Sequence, residues 1–514
     1  MTPVASLEGM AAATLLASFS GPTVPKWVLR RVDEGLGGVC LFGSNRLESA
    51  DHTGGVATAL HAARPSLLVA LDEEGGAVTR LEATTGSSLP GNAALGAVDD
   101  VGLTRQVAVA LGELLSEVGV DLDLAPCADV NVDAANPVIG VRSFGADPLL
   151  VSRHVAAFVE GLQSAGIAAC AKHFPGHGAT TVDSHLALPR VGVDADVLGW
   201  RELAPFQAAI DVGVAAVMTA HLQVPALDPE HPATVSHRIL TGLLRNQLAF
   251  PGAIVTDALD MAGIGGPRLI PANVVHCLAA GADLCCLGPD ATEELVAACV
   301  DAIVGAVGSG ALGEERLADA AGRVANLRPR AGWRHRVQDR IALGGTAVRR
   351  ALRIQGSLAA PLLGAHVVEL RRAVMIAAGR VPWGLAGPLG ELDPTSSAER
   401  LDDRADVGAV LARAEGRPLV VVVRDPQCDA DTADLLAALV GVRPDAVVVD
   451  MGWPADPPLV PSLGARITTF GPSRASGEAV ARLLVTPVDE RAEVRNVASI
   501  TNVPVERREG SRRG

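Results

Sequence analysis

The sequence predicts an α/β protein: an N-terminal (β/α)8 TIM-type barrel followed by a smaller doubly wound α/β sandwich domain. Three observations support that reading. Eight short apolar runs recur before residue 290, each followed by a polar or glycine-rich break and then a stretch of helical period. The runs are apolar throughout rather than alternating, as parallel strands covered on both faces are. Polar residues gather at the C-terminal ends of the runs, which is where a barrel assembles its active site.

In order the runs are TLLASFSG (14–21), GGVCLFG (37–43), SLLVALDEEGG (66–76), DLDLAPCADV (121–130), IAACAKH (167–173), AAVMTAH (215–221), GAIVTDAL (252–259) and ADLCCLG (282–288). An open doubly wound sheet shares this periodicity. Asp72, Asp129, Lys172, His173, His221 and Asp257 stand at the ends of different runs, and that favours the barrel. LGEERLADAAGRVANLRPR (312–330) reads as a last helix and ends a catalytic unit of 1–330, and 331–355 reads as a linker. HVVEL (366–370), PLVVVVRD (418–425), DAVVVDMG (445–452) and ARITTFG (465–471) alternate with helical stretches and predict a second unit over 356–487. The polar tail 488–514 has little to bury and is expected to be mobile.

Composition narrows the function. A length of 514 residues suits two cores. No uninterrupted apolar stretch reaches the roughly 18 residues that a membrane span needs. Glu8 stands before the first apolar segment, where a secretion signal would place a cation. A net charge of −15 argues against a nucleic-acid partner. The eight cysteines sit mostly inside apolar runs without CxxC spacing, the pattern of reduced, buried thiols in a cytoplasmic protein.

The segment KHFPGHGATTVDSH places three of the 12 histidines within thirteen positions. As a metal site it offers His177, Asp183 and His185, but without the HExxH spacing. As a phosphate loop it lacks GxxxxGK[ST]. As a proton-transfer loop it fits better: residues two apart in an extended segment point the same way. Asp183 can then receive Nδ1–H of His185 and leave Nε2 toward a substrate. Taken singly, Asp183 is an ordinary turn former and Asp257 an ordinary helix N-cap. Around the same mouth VALDEEGGAVTRLE brings Asp72, Glu74 and Arg80, and NPVIGVRSFGADP brings Arg142. Such charges can hold sugar hydroxyls.

Together GGVCLFGSN, LDEEGGAVTRL, NPVIGVRSFG, AKHFPGHGATTVDSH, MTAH, PATVSHRILTGLLR and VTDALDM resemble glycoside hydrolase family 3, in its β-N-acetylglucosaminidase (β-N-acetylhexosaminidase) branch. RITTFGPSRASGEAVARLL is similar to the C-terminal domain of two-domain members. The resemblance implies retaining, exo-acting hydrolysis of terminal non-reducing β-N-acetylglucosaminides, such as cell-wall muropeptides met in peptidoglycan recycling or chitooligosaccharides. It implies Asp257 as nucleophile and Asp183 with His185 as the acid/base dyad. Substrate contacts would fall on Asp72, Arg80, Arg142, Lys172, His173 and His221. The expected partner is a small saccharide, with no metal and no cofactor, and the DSH loop implies that the second domain need not build the site. A β-N-acetylglucosaminide phosphorylase, a β-glucosidase and a non-catalytic saccharide-binding protein are the alternatives.

Overall fold

The computed structural model describes residues 6–45, 49–327, 337–358, 361–370, 376–401, 406–454, 464–487 and 495–496. Every predicted run of the first unit contains a strand: β1 Leu15–Ala17, β2 Gly38–Leu41, β3 Leu68–Leu71, β4 Leu122–Asp123, β5 Ala168–Phe174, β6 Ala216–Thr219, β7 Ala253–Thr256 and β8 Cys285–Cys286. They form one sheet in the order β7-β6-β5-β4-β3-β2-β1-β8. A parallel bridge between Val255 and Leu284 joins its two ends. The result is a nearly closed eight-stranded parallel barrel.

The unbroken apolar runs follow from burial on both faces. Leu16, Cys40, Ala70, Leu122, Cys170, Met218 and Val255 pack together in the lumen. Their neighbours Leu15, Val39, Val69, Ala171, Val217 and Ile254 pack instead with helix residues such as Leu111, Val155 and Phe158. Neither face meets water, so neither selects polar residues. Val324 and Leu327, at the end of helix Glu314–Asn326, join the lumen cluster. All eight cysteines are free, and only Cys428 is partly exposed.

The second sheet comprises β9 Arg353–Gly356, β10 His366–Leu370, β11 Ser397–Leu401, β12 Leu419–Val423, β13 Val447–Asp450, β14 Ala465–Thr468 and β15 Arg495–Asn496. Its order is β11-β10-β12-β13-β14-β9-β15, with β9 antiparallel to β14. Val367, Val420, Val422 and Val449 pack on one face, and Val368, Val421, Val423 and Val448 on the other. Helices therefore cover both sides, as a doubly wound sheet requires.

Within the span read as a linker, residues 328–336 lie outside the described residues, while helix Arg340–Ala351 leads into β9. Its Gly344 lies against the Ser88 carbonyl with no room for a Cβ, so this helix packs directly on the barrel. Arg353 donates to the Arg350 and Ala351 carbonyls at 2.9 and 2.8 Å and to the Ala97 carbonyl. Of the tail expected to be mobile, Arg495 and Asn496 pair with β9, and the rest lies outside the described residues. Among the described residues no helix is long and apolar enough to cross a membrane.

Candidate active site

A cavity of about 310 Å³ opens at the C-terminal ends of the barrel strands. Its construction begins after β3, where successive side chains point to opposite sides. Asp72 and Glu74 line the cavity, and Glu73 between them is fully buried. The Glu73 carboxylate accepts the backbone N–H groups of Arg80 and Leu81 at 2.8 and 3.0 Å. This folds the glycine-rich loop back, so the Arg80 guanidinium stands 3.9 Å from Asp72. Burial pushes the Glu73 carboxyl up to about 7.

Glu74 is the centre of the charged wall. It accepts Nε and Nη2 of Arg142 at 2.9 and 2.7 Å. Lys172 Nζ, from β5, lies 2.7 Å from Glu74 and 2.6 Å from Asp72. Burial alone would raise the Glu74 pKa, but the two cations hold it well below the carboxylate range. Burial would likewise lower the Lys172 pKa, and Asp72 and Glu74 hold it above its ordinary value. Arg142 is raised for the same reason, its burial outweighed by Glu74.

The network continues inward. Arg142 Nη2 lies 3.4 Å from His173 Nε2, and His173 Nδ1 donates to Asp129 at 2.7 Å. Asp129 also accepts the His177 N–H at 2.6 Å and the Cys127 thiol at 3.2 Å. Burial works to raise the Asp129 pKa, but His173 and His177 draw it below its usual value. The donor atoms of Cys127, Asp129 and His173 lie within 4.8 Å of one another, a spacing that could hold a metal ion. Burial pushes the Cys127 thiol well up, however, so it stays protonated. Asp129 already has hydrogen bonds on both oxygens. The trio therefore fits a hydrogen-bonded network better than a coordination sphere.

The histidine-rich loop is pinned at two points. Gly178 passes against the Val130 carbonyl where a Cβ would collide, which accounts for a glycine there. His177 is buried and reaches Thr180 Oγ1 at 2.6 Å and Ser184 Oγ at 3.2 Å. Burial pushes its imidazole down to about 4, leaving it neutral. Between these clamps Asp183 Oδ1 accepts both the backbone N–H of His185 at 2.8 Å and its Nδ1–H at 2.7 Å. His185 lines the cavity, and its Nε2 has no protein partner among the described residues. Burial lowers the His185 pKa, yet the Asp183 hydrogen bond and the Asp257 charge raise it above its ordinary value.

Asp257 follows β7 and lines the same cavity, with Oδ1 fixed by the Ala258 N–H at 2.8 Å. Burial would raise its pKa, and the imidazoles of His173, His221 and His185 bring it below the usual carboxylate value. The structure thus gathers Asp72, Arg80, Arg142, Lys172, His173, His185 and Asp257 on one cavity, with Asp183 directly behind His185. His221 stands off the wall: it is fully buried, and its Nε2 donates to the Ala258 carbonyl at 3.0 Å, fixing the turn that carries Asp257.

Two contributions go beyond the roles expected from the sequence. Glu74, expected only among the charges around the mouth, and Asp129, expected only at the end of a strand, organise the wall. Ile376, Ala377 and Gly379 of the second unit also line the cavity, and Arg80 donates to the Ala377 and Ala378 carbonyls at 2.8 and 3.3 Å. This corrects the expectation that the second unit need not build the site.

The profile of the glycosyl hydrolase family 3 N terminal domain matches residues 25–327. The chain is 40% identical over 250 residues to beta-hexosaminidase A of Pseudoalteromonas piscicida, covering 45% of this chain but only 42% of that relative. It is 36% identical over 304 residues to a beta-hexosaminidase of Stenotrophomonas maltophilia, covering 56% of this chain and 89% of the relative. A family 3 β-N-acetylglucosaminidase structure from a Paenibacillus species superposes with a TM-score of 0.84 at 29% identity, covering 96% of this chain and 99% of that one.

Glu74→Gln should lower stability by about 3 to 5 kcal/mol, because Arg142 then keeps a buried charge without its carboxylate. Glu117→Gln is the control: its side chain is 61% exposed and pairs with Arg340 at the surface. Its effect should stay below about 1 kcal/mol. Urea unfolding midpoints compare the two.

Proposed function

This chain belongs to glycosyl hydrolase family 3, and on that premise we propose that it removes terminal non-reducing β-N-acetylglucosamine residues with retention, through a covalent glycosyl-Asp257 intermediate. The observation that carries the proposal is the shared cavity. It joins Asp257, whose carboxyl is held below its usual value against the pull of burial, an imidazole oriented by Asp183, and a wall of paired charges. The relatives' names, beta-hexosaminidase and β-N-acetylglucosaminidase, support an N-acetylated sugar. Muropeptide or chitooligosaccharide fragments supply such termini. The buried free thiols support a reducing, cytoplasmic setting.

Retention needs a carboxylate that attacks C1 and a second group that gives a proton and later takes one back. Asp257 attacks the anomeric carbon while His185 Nε2–H protonates the glycosidic oxygen, and the aglycone leaves as an alcohol. Asp183 keeps the Nδ1 proton in place and stabilises the imidazolium. The Asp257 charge is one of the influences that raise His185. Once the sugar is bonded to Asp257 that charge is gone, so the pKa of His185 falls and the imidazole is readied to accept a proton from water. Water then attacks C1, releasing the sugar and restoring Asp257. Asp72, Arg80, Arg142, Lys172 and His173 hold the terminal sugar, turning binding energy into orientation, and His221 positions the Asp257 turn.

His185→Ala should lose roughly 10² to 10⁴ in turnover on 2-acetamido-2-deoxy-β-glucosides with poor leaving groups. On an activated aryl glycoside, which needs no proton, the loss should be far smaller; equal losses on both would count against the donor role.

The pH dependence has a definite sign. The donor must be protonated, and His185 titrates above its ordinary value, so the alkaline limb of kcat/KM should lie above about pH 6.5. Asp183→Asn removes the attraction and should move that limb to lower pH. An unmoved limb would assign the titration to another group.

A further inference from the structure

Beside the sugar pocket lies a larger cleft of about 840 Å³, between the loop bearing Asp183 and the second sheet. The two spaces share Val138, Ile376 and Gly379 as walls and are therefore adjacent. Asp183 borders the cleft and its partner His185 borders the pocket. The cleft thus begins where a leaving group departs once His185 has protonated it.

The far wall is formed where an open α/β sheet ordinarily binds ligands. β11 lies on one side of β10 and β12 on the other. β10 is followed in the chain by β11 on one side and β12 by β13 on the other, the strand order that opens a crevice at the C-terminal ends of the strands. Arg380 follows β10, Arg400 lies near the end of β11, and Arg424 directly follows β12; all three line this cleft. They stand in the lining against two carboxylates, Asp183 and Asp425.

The facing carboxylates are already engaged. Asp183 holds His185, and Asp425 takes Arg424 Nε at 3.4 Å and the Trp453 N–H at 2.7 Å. Arg400 rests its Nε on Glu369 at 3.0 Å while its side chain is 66% exposed. Arg380 forms no ion pair among the described residues and is exposed. Half-buried Trp383 lies beside them and offers a flat apolar surface.

We propose that this crevice is the aglycone subsite and selects an aglycone that bears a carboxylate, held by Arg380 and Arg400 with Trp383 against its apolar face. Guanidinium groups match a carboxylate with two parallel hydrogen bonds. The inference rests on the reading of Asp257 and His185 as the reacting groups, because that reading places the leaving group in the cleft.

The test uses two aryl 2-acetamido-2-deoxy-β-glucosides of matched leaving-group acidity, one neutral and one with a carboxylate on the ring. The wild type should favour the carboxylate-bearing substrate by about 10-fold in kcat/KM, and the preference should shrink as salt is added. In an Arg380→Ala, Arg400→Ala double variant the ratio should fall to near one. Only the ratio is read, so a general loss of active protein does not mimic the effect. Equal kcat/KM values in the wild type, or a ratio untouched by the double substitution, would overturn the proposal. So would phosphate-dependent release of a sugar 1-phosphate that the double variant loses, since the arginines would then serve an incoming anion. A wild type that turns over neither glycoside would instead overturn the catalytic reading, and the inference with it.

Discussion

One buried carboxylate organises this site. Glu74 lies between Arg142 and Lys172, and the three side chains are at most 4% exposed. Ions so far from water are costly unless each is paired and hydrogen-bonded. The pairing is met only when the loop after β3, the segment bearing Arg142 and the end of β5 stand in one arrangement. Asp72 extends the network toward the cavity, and His173 passes it to Asp129 and the histidine-rich loop. The wall proposed to meet the sugar is thereby fixed within the protein itself, which is the condition under which such charges aid a reaction most.

Two different kinds of support hold Asp257 and His185. Asp257 sits on the end of a barrel strand, fixed by the Ala258 N–H, with His221 holding the same turn from behind. His185 sits on a loop, and among the described residues its side-chain hydrogen bond comes from Asp183, which is flanked by Thr180 and Ser184, both held by His177. The strand-borne group is placed by the fold, and the loop-borne group by hydrogen bonds. The second sheet completes the enclosure through Ile376–Gly379 and the Arg80 contact.

The barrel was legible because its strands are buried on both faces, so each run announced itself as an apolar block ending in a polar residue. That rule placed Asp257, Lys172 and His173 at the barrel mouth, and the two-residue spacing pointed to the Asp183–His185 hydrogen bond. The structure forms that bond in a turn rather than in the extended segment expected, with the N–H groups of Leu186 and Ala187 on the Asp183 carbonyl. Glu74 was read only as one charge around the mouth, because its pairing with both Arg142 and Lys172 joins three segments far apart in the chain. His221 ends a run like the others, yet its imidazole turns toward the Ala258 carbonyl, a choice made by packing. The reach of Ala377 to Arg80 spans 297 positions, and no local pattern encodes a contact at that separation. β9, β11 and β15 were also missed, because short segments such as RIQG and SAERL lack the long apolar block that marked their neighbours.

The central claim is that Asp257 becomes covalently joined to an N-acetylated sugar. Treating the protein with a 2-acetamido-2-deoxy-5-fluoro-β-glucosyl fluoride and mapping the modified peptide by mass spectrometry tests it directly. The account predicts one sugar per chain, attached to the peptide at Asp257. A label on any other residue, or a chain that hydrolyses 2-acetamido-2-deoxy-β-glucosides yet never accumulates the adduct, would contradict it.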